Sequence, residues 1–436
     1  MKSVSGCLLV AAVCCALAPH AAAAKRSLLD KDQDKELSTS AQYLYAWAGA
    51  KDASLGGKDS LFVISLVGAE YGQVVSVVPT PYNGIEPHHC RASADKKILG
   101  CGGLLSPLAP PVDGAPAPSV IFFDITNPRV PKLVDAALVD QPNTSAFADE
   151  FITTPDGGFL ATMMGSSTGG SPGRVVQYSK DFKLVGEYPD PAASPDVKDL
   201  NPHGIAVSWT KSVMLTVDFL VPASTLKPAT PVLWKTVRLW DTNTMTIKET
   251  IDCSALGVNG PMDAVAIAET GAFYFGGGDG NIYYLDADGS APHTPVVAWD
   301  TLSGSTNRAS AGNILHSFRS GTRLLVSSYT RDQVQLLDTS KPRKPKLLDT
   351  LQLPAGAGAH VVRLSEDEAF GAVATYFLDE GAGGRVVLPG DMTLRLFFLN
   401  DKASKFVVQQ PSKSVIDFKT LMGAQGVYRV HGAVIL

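Results

Sequence analysis

The sequence predicts an all-β chain, a seven-bladed β-propeller with four-stranded antiparallel blades, one of them closed by both termini. Three observations lead there. Short apolar runs punctuated by Gly, Pro, Asp and Asn recur along the chain. They alternate as two hairpin-like elements at a period of roughly 45–65 residues. A strand pattern without a partner is left at each end. The helical patterns of roughly 10–15 residues that would mark βαβ units are missing.

The first element is a strand, a turn and a second strand. It reads "HHCRASADKKILGCGG" (88–103), "DEFITTPDGGFLATMM" (149–164), "HGIAVSWTKSVMLTVDF" (203–219), "DAVAIAETGAFYFGGG" (263–278), "NILHSFRSGTRLLVSSY" (313–329) and "HVVRLSEDEAFGAVATYF" (360–377). The second element is an apolar strand, an Asp, a Thr/Ser turn with Pro, and another strand. It is clearest in "SVIFFDITNPRVPKLVDAAL" (119–138) and "QVQLLDTSKPRKPKLLDTLQL" (333–353), with looser copies at 174–190, 236–254 and 280–289. Six units are complete. The fragments "LFVISLV" (61–67), "QVVSVVP" (73–79) and "GVYRVHGAVIL" (426–436) make the seventh, and pairing them leaves no sheet edge open.

Residues 1–24 have the layout of a secretory signal peptide: Lys2, an apolar run from Gly6 to Leu17, then small residues with cleavage near Ala23 or Ala24. The run is about a dozen residues, short of the ~20 that cross a bilayer, and no later segment is long and apolar enough to span one. Residues 25–57 read as a polar leader and 58–436 as the propeller. The destination is the secretory pathway, the periplasm or the outside of the cell. With 37 Lys and Arg against 42 Asp and Glu, and no basic block, nucleic acid is excluded as a partner.

Three of the six cysteines fall in the signal, leaving Cys90, Cys101 and Cys253. A hairpin centred between Asp95 and Lys96 sets Cys90 opposite Cys101, as a cross-strand disulfide or as two reduced thiols. Cys253 reads as a buried small apolar residue. Asn143 heads an Asn-Thr-Ser glycosylation sequon.

In a propeller the first strand of each blade lines the central channel. Aligned on their turns, the units lead with His88, Asp149, His203, Asp263, Asn313 and His360, in a chain of only eight histidines. Three imidazoles converging on one axis suit a first-row metal such as copper, zinc, iron or nickel. Asp149, Glu150 and Asp263 would ligate it or fix the imidazole tautomers. Strand alternation allows one of His88 and His89 to face the channel; turn alignment favours His88, and a one-residue shift exchanges them. His431, later in its strand, is an additional candidate. His316 is off-register and His293 lies in a loop. The plainer alternative is a wet channel in which these side chains bond to water and backbone.

"EPHHC", "SVIFFDITNPRVPKLVDA", "TVDFLVPASTLKP" and "DTSKPRKPKLLDTLQL" with "HVVRLSEDEAFGAVATYF" resemble, in order over roughly residues 60–436, the selenium-binding protein / methanethiol oxidase family. The resemblance implies a propeller, with selenium association in some members and copper-dependent oxidation in others. In that reaction methanethiol, O2 and water give formaldehyde, hydrogen sulfide and hydrogen peroxide. Copper would be the cofactor, and a small thiol and O2 the substrates. One departure stands out: the family's Cys-Ser-Ser-Cys run is replaced here by "CRASADKK", with Cys90 alone near that place. The competing class is a non-catalytic propeller that binds a protein partner or ligand on its face.

Overall fold

Six consecutive four-stranded units and one composite unit build the chain, and the inner strands of neighbouring units touch in a closed ring. The structure, a computed structural model, describes residues 39–52, 56–226, 230–304, 313–381, 384–409, 413–423 and 426–436. The expected signal peptide lies outside the described residues.

Blade 1 consists, from the axis outward, of Pro87–Ala92, Ile98–Gly103, Val120–Asp124 and Lys132–Leu133. The inner strands of blades 2 to 6 are Ala146–Thr153, Pro202–Ser208, Asp263–Ala266, Leu315–Phe318 and Val361–Leu364. Blade 6 is the irregular one. A small hairpin, Leu378–Asp379 with Val387–Leu388, is inserted between its second and third strands, and two short strands share its outer edge.

The seventh blade takes its inner strand, Tyr428–Ile435, from the C-terminal end and three strands from the N-terminal side: Tyr43–Ala50, Ser60–Ser65 and Val74–Pro79. The strand Tyr43–Ala50 corrects the sequence reading, which left residues 25–57 outside the propeller. Its run "YLYAWAGA" is buried almost throughout, so it lacks the in-out alternation that marks a half-exposed strand.

Large side chains fill the wedges between blades. Trp47, fully buried, packs its ring edge-on against Phe123 and donates its indole N–H to the Gly102 carbonyl, pinning the closing blade to blade 1. Phe122, Phe151, Phe159 and Tyr178 fill the next wedge. Cys90 and Cys101 stand directly opposite each other and form a disulfide, one of the two alternatives left open above. No helix among the described residues is long and apolar enough to cross a membrane.

Candidate metal centre

A regular inner strand would present alternate side chains to the axis. Four of these strands break that rule at one level. Register shifts place His88 and His89 against the single residue Gly102, Asp149 and Glu150 against Thr162, and His203 and Gly204 against Val217. In the closing blade the shift falls between Trp47 and Ala48, leaving His431 without a partner residue. These are β-bulges, which turn an extra side chain toward the axis. In blade 2 the Thr162 hydroxyl fills the gap, accepting from the Glu150 N–H at 3.0 Å and donating to the His203 carbonyl at 2.6 Å in the next blade.

Both histidines of the pair therefore reach the centre, against the expectation that only one could. His88 Nε2 is 3.3 Å from Asp149 Oδ2, and His203 Nε2 is 3.2 Å from the same oxygen. His89 Nε2 lies 3.7 Å from Asp149 Oδ1 and 3.5 Å from His431 Nε2. The rings of His88 and His431 stack with centroids 3.6 Å apart. Two overlapping groups, His88–His89–His431 and His88–Asp149–His203, each bring their ligand atoms within 4.8 Å of one another. All these residues are buried.

The far sides of two rings are already held. His431 Nδ1 donates to the Phe377 carbonyl at 2.7 Å, which fixes its tautomer and leaves Nε2 as a lone pair facing His89. His89 Nδ1 lies 3.4 Å from Glu150 Oε2, which also accepts from Arg363 at 3.0 Å. Burial pushes His89, His203, His360 and His431 below the ordinary histidine range, so the neutral, ligating form prevails.

His360 and Asp263 stand apart from the two groups. The His360 ring is 4.7 Å from that of His431, and neither of its nitrogens has a hydrogen-bond partner. Asp263 points its oxygens at backbone, accepting from Ala264 N at 2.8 Å and Leu315 N at 2.7 Å. Burial, aided by the neighbouring Glu150 charge, pushes the Asp263 carboxyl up to about 7. His293 is tied to Glu249 at 2.6 Å in a loop. His316 lines the channel beyond the cluster, and burial pushes it down to about 3. Asn143 is exposed.

The site also contains residues that the sequence reading passed over. Arg363 braces Glu150. Behind His431, the Tyr376 hydroxyl donates to Glu86, whose other oxygen lies 3.3 Å from Arg429.

The donor set fits a metal. Both oxygens of Asp149, Nδ1 of His88 and of His203, and both nitrogens of His360 are buried without a hydrogen-bond partner. A carboxylate buried between two imidazoles calls for positive charge beside it, from a protonated ring or from a metal ion. The Nε2 atoms of His89 and His431 face each other at 3.5 Å, close enough to share a proton or a metal ion.

Two cavities meet at this cluster. One, of about 350 Å³, lies at the beginning of the inner strands with His88, Asp149 and His203 on its floor; Phe147, Met164, Phe219, Leu220 and Met262 are among its apolar walls. The other, of about 210 Å³, lies further along the same strands and carries Arg91, Glu150, Asp263, His316 and Arg363.

No protein-family model matches the sequence, and neither does any curated protein. The fold resembles that of a hypothetical selenium-binding protein from Sulfolobus tokodaii, at 15% identity and a TM-score of 0.71, over 91% of this chain and 93% of that one. It also resembles a periplasmic gluconolactonase from Pseudomonas aeruginosa, at 12% identity and a TM-score of 0.59, over 91% and 99% of the two chains. A putative 6-phosphogluconolactonase from Bacteroides fragilis matches at 12% identity and a TM-score of 0.57, over 91% and 98%. At these identities the likeness is one of fold.

Proposed function

We propose that the chain is an exported, copper-dependent oxidase of a small thiol, a divergent relative of the selenium-binding protein / methanethiol oxidase family. The observation that carries this reading is the buried set of unpaired imidazole and carboxylate atoms on the floor of an apolar cavity. His88, His89, Asp149, His203 and His431 would hold the metal, with His360 beside them. The family resemblance of the sequence selects copper and the thiol. A bound copper ion supplies a cation that acidifies a thiol and a redox couple that passes its electrons to O2.

The chain's own residues do the rest. The apolar walls admit an uncharged thiol and keep bulk water off it. Asp149 Oδ2, between two imidazoles on the cavity floor, would set the metal where a thiol entering the cavity meets it. Glu150, held by Arg363, keeps His89 in one orientation, and the Phe377 carbonyl does the same for His431. A volume of about 350 Å³ exceeds methanethiol severalfold, given roughly 30 Å³ for a water-sized atom group, so longer alkanethiols belong in the assay.

The test is elemental analysis of the mature protein after copper reconstitution, beside His88→Ala, His203→Ala and His431→Ala, with His293→Ala as a control outside the site. The reading expects about one copper per chain, lost in the three site variants and kept in the control, with thiol-dependent O2 consumption following the copper. A well-folded protein that takes up no copper would leave the non-catalytic platform. Zinc or calcium bound in its place, with no O2 consumed, would point to hydrolysis.

A further inference from the structure

The charged cavity beyond the histidine cluster takes no substrate in the reaction proposed above; of its lining groups, Glu150 and Arg363 serve there only to orient His89. Asp263 is committed to two backbone N–H groups. Glu150 Oε2 accepts from Arg363 and faces His89, and Oε1 lies 3.3 Å from the Phe151 N–H. Arg91 has no hydrogen-bond or ion-pair partner within contact distance among the described residues. Arg363 spends one terminal nitrogen on Glu150 and the other on its neighbouring Val362 carbonyl, leaving further N–H groups of its five unspent. Two guanidinium groups thus face two carboxylates, one spent on backbone N–H groups and the other on Arg363 and an imidazole, and Arg91 closes a contact with neither. Both arginines are half-buried and line the cavity, where an anion would meet their remaining N–H groups.

The cavity also has a door. Arg91, His316, Ser317 and Arg363 line both this space and a vestibule of about 390 Å³ bordered by Ser93, Ser365, Lys96 with its partner Glu366, and Glu368 with its partner Arg319. Its 210 Å³ holds a five-atom oxyanion with a few waters, at roughly 30 Å³ for each water-sized group.

We propose that this half of the channel is a binding site for a small oxyanion, gripped between Arg91 and Arg363 with Ser317 as a further donor. Guanidinium forks suit such ligands because their parallel N–H groups match two oxygens at once. The anion enters from the vestibule, at the opposite end from the apolar cavity, so the two cavities serve ligands of different chemistry.

The probe is sulfate, titrated by calorimetry into the mature protein after metal removal by a chelator, in chloride buffer at constant ionic strength. Metal-free protein keeps the result independent of the oxidase reading. Saturable binding is expected, weakened at least tenfold in Arg91→Met, since a charge-assisted bidentate contact is lost. Ser317→Leu, which fills the cavity and leaves both arginines in place, should cause a comparable loss and stands in if Arg91→Met fails to fold. Absence of saturable sulfate binding, or binding within twofold of wild type in the folded variants, overturns the proposal.

Discussion

Gly432 is the position where one added methyl group should damage the centre without removing any ligand. It follows His431 at the bulge of the closing blade. A Cβ built there would lie 2.2 Å from the carbonyl oxygen of His88 and 3.4 Å from Trp47 Cβ. Carbon and oxygen in van der Waals contact sit roughly 3.2–3.5 Å apart, so something must move by about 1 Å. The obstacle is backbone of the bulge that carries His88 and His89, and it cannot swing aside as a side chain would. Gly432→Ala should therefore drive the His431 strand and blade 1 apart, opening the 3.6 Å stack of His88 on His431 and the 3.5 Å approach of His431 to His89. Overpacking of this kind costs about 1–3 kcal/mol of stability. Loss of ligand geometry should lower metal affinity by roughly 10–100-fold, as changes to the support of a metal site do. Competition against a chromophoric chelator measures the affinity, and urea unfolding measures the stability. Gly170→Ala, whose added Cβ would meet nothing closer than 3.8 Å, is the control. Wild-type metal affinity in a Gly432→Ala protein that has lost stability would refute the argument that this close approach sets the ligand geometry.

Three more outcomes follow from the same geometry. Asp149→Asn should bind metal at least 100-fold more weakly, because the carboxylate that faces both His88 and His203 is gone; an affinity within tenfold of wild type in the same chelator competition would contradict this. Replacing Cys90 and Cys101 together by Ser opens an 11-residue loop and should cost about 3 kcal/mol in the chain-entropy account, read from urea melts. Asp59, which accepts from the Ala50 and Ile85 N–H groups, is pushed by burial up to about 7. A carboxyl raised in the folded state contributes stability that is whole below about pH 4 and is lost as pH rises through 7, at most about 4 kcal/mol. Asp59→Asn should flatten that decline, and an unchanged slope between pH 4 and 8 would count against it.

The blade repeat was legible because each unit restates the same strand–turn–strand plan, and the leading residues His88, Asp149 and His203 could be read from the turns alone. Where the reading failed, local physics had departed from periodicity. The alternation rule admits one of His88 and His89, yet a bulge admits both, and nothing in "PHHC" announces a bulge. The same phase shift carries Arg91 inward, two residues after His89 on the same face of the strand. His431 stands fourth in Tyr428–Ile435, as Asp149 does in Ala146–Thr153, whereas His88 and His203 stand second in theirs, so the start of a strand does not mark the level of the cluster. Tyr43–Ala50 was missed because full burial erases the alternation that identifies a strand. The tautomer of His431 rests on the Phe377 carbonyl, and a backbone acceptor supplied by a distant segment leaves no mark in sequence.

The bulges also bear on the choice between a metal centre and a hydrated channel. A hydrated channel needs polar side chains, one per strand per level, and regular alternation supplies them. Each bulge interrupts a ladder that would otherwise satisfy backbone groups, so its presence on four strands at one level calls for a compensating gain. At three of them the second residue has a visible use. His89 brings its Nε2 to that of His431, Glu150 orients His89, and the lack of a side chain at Gly204 lets the strand approach Asp263, where a Cβ would lie 2.6 Å from Cα. Adjacent residues of one strand thus serve as ligand and as support for a ligand, which water would not require. What the four bulges have in common is the convergence of imidazoles and one carboxylate on a single buried point, a donor set that suits a metal ion.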